Sequence, residues 1–237
     1  MPNIKEIVLD TETTGLDPNP SIHNPTGHRV IEIGAIELLG HIPTGKIFHR
    51  YINPEMIVPK ESTKIHGIKT DDLLDKPTFE SIADEFLSFI EDAVLIIHNA
   101  EFDLKFLNFE LEKVKRPNLS SMTVIDTLQL ARDKAPSRQN SLDALAKRYS
   151  IDASGREDFH GALVDSHILS QIYLELIGGS QPDFKLDNDR GSLESANVNY
   201  GVIKQRETAL KSRITQTEIE AHKAFIASIN AEKKWNY

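Results

Sequence analysis

The 237-residue sequence contains no cysteine, which excludes disulfides and thiolate metal centres and makes a reducing, cytoplasmic setting the expectation. Long apolar runs are also missing. The longest, "AVLII" at 93–97, has five residues, against the roughly 20 that a bilayer span requires, so no membrane-spanning segment is expected. The N-terminus lacks the basic stretch, apolar core and small-residue cleavage site of a signal peptide. Nor is there an excess of positive charge. With 27 Lys and Arg against 36 Asp and Glu, the net charge is −9, which argues against a simple basic nucleic-acid-binding module but leaves metal-assisted binding open. The deficit is concentrated early: through residue 178 there are 18 basic and 28 acidic residues, net −10, and the remainder is net +1.

What is present is a chain that is 39% hydrophobic, enough to bury a core. Strands are expected near 5–10, 29–39 and 46–52, the last two joined by the turn-like "GHIPTG" into an antiparallel meander. A helix follows over "TFESIADEFLSFIED", then the strand "AVLII", a helix after His98 and Asn99, a strand "MTVID", and helices over "SLDALAKRY" and "GALVDSHILSQIYLELI". Such mixed order predicts an α/β sheet covered by helices. Texture changes after 178: "SQPDFKLDNDRGSLESANVN" is polar and aperiodic, as in a flexible linker. Beyond it, Ile219, His222, Ile226 and Ile229 recur at helical spacing, with Thr215 or Thr217 available as N-cap. The expected division is therefore a domain at 1–178, a linker at 179–200 and a C-terminal segment at 201–237.

The chemistry begins at "LDTETTGLD", residues 9–17, where Asp10 and Glu12 close an apolar strand. Positions two apart on a strand share a face, so these carboxylates crowd together and call for a cation. Three more polar clusters stand out: "HNAEFD" at 98–103, "VID" ending at Asp126, and "FHGALVD" at 159–165. Asn99 can cap the following helix and place Asp103 in its first turns. His160 and Asp165, five apart and so about 140° around a helix, share a site only if His160 lies in the loop or first turn. Asp10, Glu12, Asp103 and Asp165 are the oxygen donors that hard cations such as Mg²⁺ and Mn²⁺ prefer. Two such ions can clamp an in-line displacement at phosphorus. An imidazole such as that of His160 is the side chain suited to take a proton from attacking water.

"LDTETTGLD", "HNAEFDLKFL" and "HGALVDSHIL" resemble the three signature segments of the DEDDh 3′→5′ exonucleases. Further segments, among them "HRVIEIGAIEL", "IHGI" and "RQNSLDALAKRY", extend the resemblance over most of the chain to the branch that proofreads for bacterial DNA polymerase III. The resemblance implies a ribonuclease H-like fold with a five-stranded mixed sheet whose first three strands are antiparallel. It implies two Mg²⁺ or Mn²⁺ ions held by Asp10, Glu12, Asp103 and Asp165, with Asp10 shared between them and His160 as general base. Thr13, Thr14, Gly15 and Leu16 would lie along the terminal nucleotides of a single-stranded DNA 3′ end, Gly15 permitting close backbone approach and Leu16 offering an apolar wedge. Glu61 and His66 match positions that contact the terminal nucleotide, and His98 and Asn99 would line the same pocket. "TEIEAHKA" and Trp235 resemble the segment that holds the polymerase catalytic (α) subunit.

Other readings of these residues stand beside those. Asp126 reads as a structural acid rather than a ligand, and Leu16 fits a core position as well as a wedge. His23, His28, His41 and His49 read as surface or turn histidines, since no carboxylate motif surrounds them. "QPDFKL" at 181–186 weakly resembles clamp-binding peptides, with Gln181 and Phe184 as anchors, against a plain solvated linker. An RNA-trimming relative would share the same acids, and a non-catalytic adaptor between polymerase and clamp is the reading from another class.

Overall fold

The computed structural model describes residues 4–22, 24–156, 160–178 and 215–228. His23, Phe159, Trp235 and the "QPDFKL" segment lie outside them. Strand β1 (Lys5–Thr13) sets the architecture. Its Ile7 and Leu9 enter one apolar cluster and Val8 another, all fully buried, because side chains of a strand alternate between faces. A strand covered on both faces has to be apolar almost throughout, which is the pattern here.

β2 (Val30–Leu39) and β3 (Ile42–Tyr51) run antiparallel beside β1. Their connection is tighter than "GHIPTG" suggested. Gly40 and His41, at φ 56° and 70°, form the whole turn, the left-handed pair that two-residue hairpins require. Pro43 and Thr44 are already in β3, and the register slips opposite Ile36 to Leu38, where Gly45 takes φ 85°. β4 (Val94–Ile97) and β5 (Val124–Asp126) add parallel strands, giving the order β3-β2-β1-β4-β5. This is the expected five-stranded mixed sheet.

In the β3–β4 connection lie helices α1 (Lys60–His66), α2 (Thr70–Leu73) and α3 (Phe79–Ile90), followed after β4 by α4 (Ala100–Lys113). Phe79, Phe86, Phe106 and Leu107 from α3 and α4 pack on the Ile7/Leu9 face. α5 (Thr127–Lys134), α6 (Leu142–Tyr149) and α7 (Ala162–Leu176) cover the Val8 face through Ala131, Leu145, Leu169 and Ile172. Sequence reading assigned no helix at α1, α2 or α5. "KESTKIH" has one large aliphatic side chain, and its Ile65 is exposed, so no apolar stripe announces α1. α5 follows β5 without a connecting residue, so no loop signal separates them.

One close approach positions the chemistry. A Cβ on Gly34 of β2 would fall 2.2–2.5 Å from the backbone of Ala162 and Leu163. The first turn of α7 therefore rests directly on the sheet, with Ser166 Oγ donating to the Gly34 carbonyl at 2.8 Å. Gly34 pairs with Asp10, so α7 starts beside the acidic end of β1. The C-terminal helix α8 (Gln216–Ser228), in a separate unit, opens on Thr215, whose hydroxyl accepts the Glu218 N–H while the Glu218 carboxylate accepts the Thr215 N–H, a capping box.

Candidate active site

The parallel strands β1, β4 and β5 end at the same edge of the sheet, where ligand crevices form in α/β folds. β1 brings Asp10 and Glu12 on the face toward α7. His160 lies in the loop just before α7, its N–H bonded to the Ile65 carbonyl at 3.1 Å, and Asp165 sits in the first helical turn, where negative charge is favoured. His160 Nδ1 is 3.8 Å from Asp165 Oδ2. The loop position meets the condition that the spacing imposed, and Glu12, His160 and Asp165 offer ligand atoms all within 4.8 Å of one another.

Asp10 and Asp103 are not members of that tight group. Asp10 is two residues before Glu12 on the same face, opposite Gly34. Asp103 comes from α4 on the other side of β1, where Thr11 Oγ1 donates to Oδ1 at 2.7 Å. Burial pushes the Asp103 carboxyl up to about 7, against the opposing Thr11 hydrogen bond and with the nearby Asp126 charge adding. A buried acid held among acids has a ready use for a cation. The donors are carboxylate and imidazole with no thiolate, which suits a hard divalent ion.

Asp126 is occupied otherwise: its carboxylate accepts the N–H groups of Asn99, Ala100 and Leu128, starting α4 and α5 together. This corrects one expectation. Asn99 stands at the head of α4 in a left-handed conformation and makes no side-chain cap; the cap is supplied across space by Asp126.

Beside the acids lies a cavity of about 700 Å³ lined by Thr13, Thr14, Gly15, Leu16, Glu61, His66 and Phe102. Leu16 is 83% exposed, so the core reading is excluded. The Thr13–Gly15 strip is held from several sides. Thr13 Oγ1 donates to the Gly15 carbonyl at 2.6 Å, and Ser62 Oγ to the Thr14 carbonyl at 2.9 Å. Thr14 and Arg29 exchange bonds at 2.9 Å, and Arg29 forks onto the buried Glu110 at 2.6 and 2.7 Å. His66 Nδ1 accepts the Ile68 N–H, so Nε2 carries the proton of the neutral ring. Its pKa is lowered, chiefly by burial and further by His160, against the Thr13 backbone.

His41 is a turn histidine as expected, but His28 and the supposed lack of carboxylate partners need correcting. His28 is part of the cavity wall. A Cβ on Gly15 would meet its ring at 2.4–2.5 Å, so the room that Gly15 leaves is filled by His28. Thr14 Oγ1, which also accepts the Arg29 N–H, lies 3.1 Å from His28 Nδ1. His41 and His49 do have carboxylate partners, Glu6 at 2.9 Å and Glu32 at 2.8 Å. Local sequence held no signal for these contacts, because each partner lies 14 to 35 residues away. His98 and Asn99 do not line the Thr13–Leu16 cavity. They border a separate groove with Arg132 and Arg138, because β4 ends on the far side of β1 from α1.

Comparison with known proteins agrees with this geometry. The family model described as Exonuclease matches residues 7–173. The DNA polymerase III subunit epsilon of Rickettsia prowazekii (strain Madrid E) is 47% identical over 232 residues, 97% of this chain and 98% of the relative. That of Escherichia coli (strain K12) is 40% identical over 224 residues, covering 93% and 91%. Among solved structures, the nuclease domain of 3′hExo, a DEDDh family member bound to rAMP, superposes with a TM-score of 0.60 at 19% identity, covering 74% of this chain and 92% of that one. Exonuclease X in complex with 5′ overhanging duplex DNA gives 0.56 at 21%, covering 72% and 90%. The acids at the strand ends thus stand in a shared fold, and the chain belongs to the exonuclease family, in its DNA polymerase III epsilon branch.

Proposed function

We propose that this protein removes mispaired nucleotides from the 3′ end of DNA as the proofreading subunit of a replicative polymerase, releasing nucleoside monophosphates. The observation that carries the reading is the meeting of Glu12, His160 and Asp165, from β1 and the start of α7, within 4.8 Å. Asp10, Glu12, Asp103 and Asp165 would hold two divalent ions, Mg²⁺ or Mn²⁺. When bound, these supply charge to the scissile phosphate and acidify water. His160, with its side chain 41% exposed, would accept the proton of the attacking water. Thr13 to Leu16, with Glu61 and His66, receive the terminal nucleotide. Selectivity follows from the lower cost of unpairing a mismatched terminus.

The acidic domain at 1–178 need not grip duplex DNA itself if tethering to the polymerase keeps the 3′ end at high local concentration. The segment 201–237, which contains α8, is the proposed tether to the polymerase catalytic subunit, and Gln181 to Leu186 a clamp contact. This assignment places the protein in the cytoplasm; among the described residues no helix is long and apolar enough to cross a membrane.

The test is digestion of a 5′-labelled primer with a mispaired 3′ end, with Mg²⁺, Mn²⁺ or chelator, beside a matched RNA. Metal-dependent laddering of DNA from the 3′ end is expected. No hydrolysis with either ion would refute catalysis, and preferential trimming of RNA would reassign the substrate. Removing residues after 200 should end co-purification with the polymerase and spare nuclease activity; a surviving complex would move the tether elsewhere.

A further inference from the structure

We propose that the groove bordered by Arg132 and Arg138 holds the phosphate backbone of the DNA strand upstream of its hydrolysed 3′ end. The inference rests on the nuclease reading above and adds a substrate path to it. The groove, about 750 Å³, runs from His98 and Asn99 to Arg132, Arg138 and Asn140. Its near end starts where β4, the strand hydrogen-bonded beside β1, gives way to His98 and Asn99, while Asp10 and Glu12 close β1 at the same end of the sheet. The nucleotide cavity takes Glu12 of β1 into its wall, and this groove begins at the end of the neighbouring β4. A strand with its last nucleotide in the former and its scissile bond at the acids continues toward the latter.

Charge separates the groove from its surroundings. The domain is net −10 through residue 178, yet residues 132–148 carry five basic and two acidic side chains. Arg132 and Arg138 are exposed, and among the described residues neither has a carboxylate partner. The wall is braced. Asn140, buried, donates to the Ala135 carbonyl at 3.2 Å, and Arg148 bonds the Asn140 side chain and the Gln139 carbonyl at 3.1 and 2.6 Å. The third nearby arginine is thus spent on shaping the loop, while the other two guanidiniums face solvent with the geometry that suits phosphate oxygens. Beside a centre that repels nucleic acid, such cations offset the cost of bringing a polyanion close.

The test uses the full chain with Mg²⁺, a single-stranded dodecamer, and the 4-nitrophenyl ester of dTMP, which has no upstream phosphate. Replacing both residues, Arg132→Gln with Arg138→Gln, should raise KM for the dodecamer about tenfold near 0.1 M salt. Its logarithmic salt dependence should flatten by about 1.4, two phosphate contacts at roughly 0.7 each on a single strand. The penalty should shrink sharply on the ester, and Arg132→Lys with Arg138→Lys should recover much of the loss because charge is retained. An unchanged salt slope and KM, or equal losses on both substrates, would overturn the groove assignment. So would a double variant that loses only its hold on the polymerase, since the groove would then face a protein. If the unaltered chain hydrolyses neither substrate, the nuclease reading fails instead.

Discussion

β1 carries glutamates at both ends on the same face, and the two are treated oppositely. Glu6 is 2% exposed, yet its oxygens accept the Tyr173 hydroxyl at 2.6 Å and the His41 N–H and ring at 3.0 and 2.9 Å. Burial and the Glu6 bond raise the Tyr173 pKa, so the phenol stays a donor. Glu12, three strand pairs further along that face, meets Asp165 and His160, with Asp10 two residues back. One end supplies donors and makes the acid structural. The other gathers acids, and that arrangement is stable only with a cation or at some cost in folding energy. Identical side chains on one strand are thus assigned to fold or to chemistry by what the opposing helix presents.

Breaking the end proposed to be catalytic should have the largest effect. Glu12→Ala is expected to lower exonuclease turnover by about 10³-fold, the scale of losing a preorganised electrostatic contact, while melting without divalent ions is unchanged or improved as like charges separate. Excess Mg²⁺ should stabilise the unaltered protein by about 2.7 kcal/mol at a hundred times Kd, raising its melting temperature, and do so less for the variant. Equal shifts would remove Glu12 from the cation site.

At the other end, Glu6→Gln should cost about 2 kcal/mol in denaturant unfolding, because donors that face a carboxylate lose charge-assisted partners, with turnover retained at temperatures where the variant is folded. Loss of turnover without loss of stability would erase the distinction between the two acids. Gly34→Ala tests what joins them. A methyl driven into the start of α7 should cost about 1–3 kcal/mol as overpacking and displace Asp165, so activity and stability should fall together.

The smallest effect belongs to a pair away from both ends. Arg116 forks onto exposed Asp84 at 2.5 and 2.7 Å, and that hydrogen-bonded pairing, rather than burial, lowers the Asp84 pKa. A folded-state pKa below the unfolded one means that the contribution is present above the unfolded carboxyl value, about 3.9, and is lost as pH falls through the folded value. Asp84→Asn should therefore lower melting only slightly at pH 7, since exposed pairs contribute little, and that difference should shrink as pH falls through the folded value.

Much of this was legible without coordinates. The apolar run in "IKEIVLD" determined a strand, the order of elements determined a mixed sheet, and the spacing of Asp10 with Glu12 placed two carboxylates on one side. Those properties are local: they follow from period two, from period 3.6 and from the chemistry of single side chains. Partner choice is not local. That Asp126 rather than Asn99 caps α4, that His28 fills the space over Gly15, that His98 borders an arginine groove, and that Glu6 meets a tyrosine and a histidine where Glu12 meets an acid and a histidine were decided by tertiary packing. Each rests on a hydrogen bond or close contact between segments that only the closed sheet brings together, and such contacts leave no periodic trace in either segment alone.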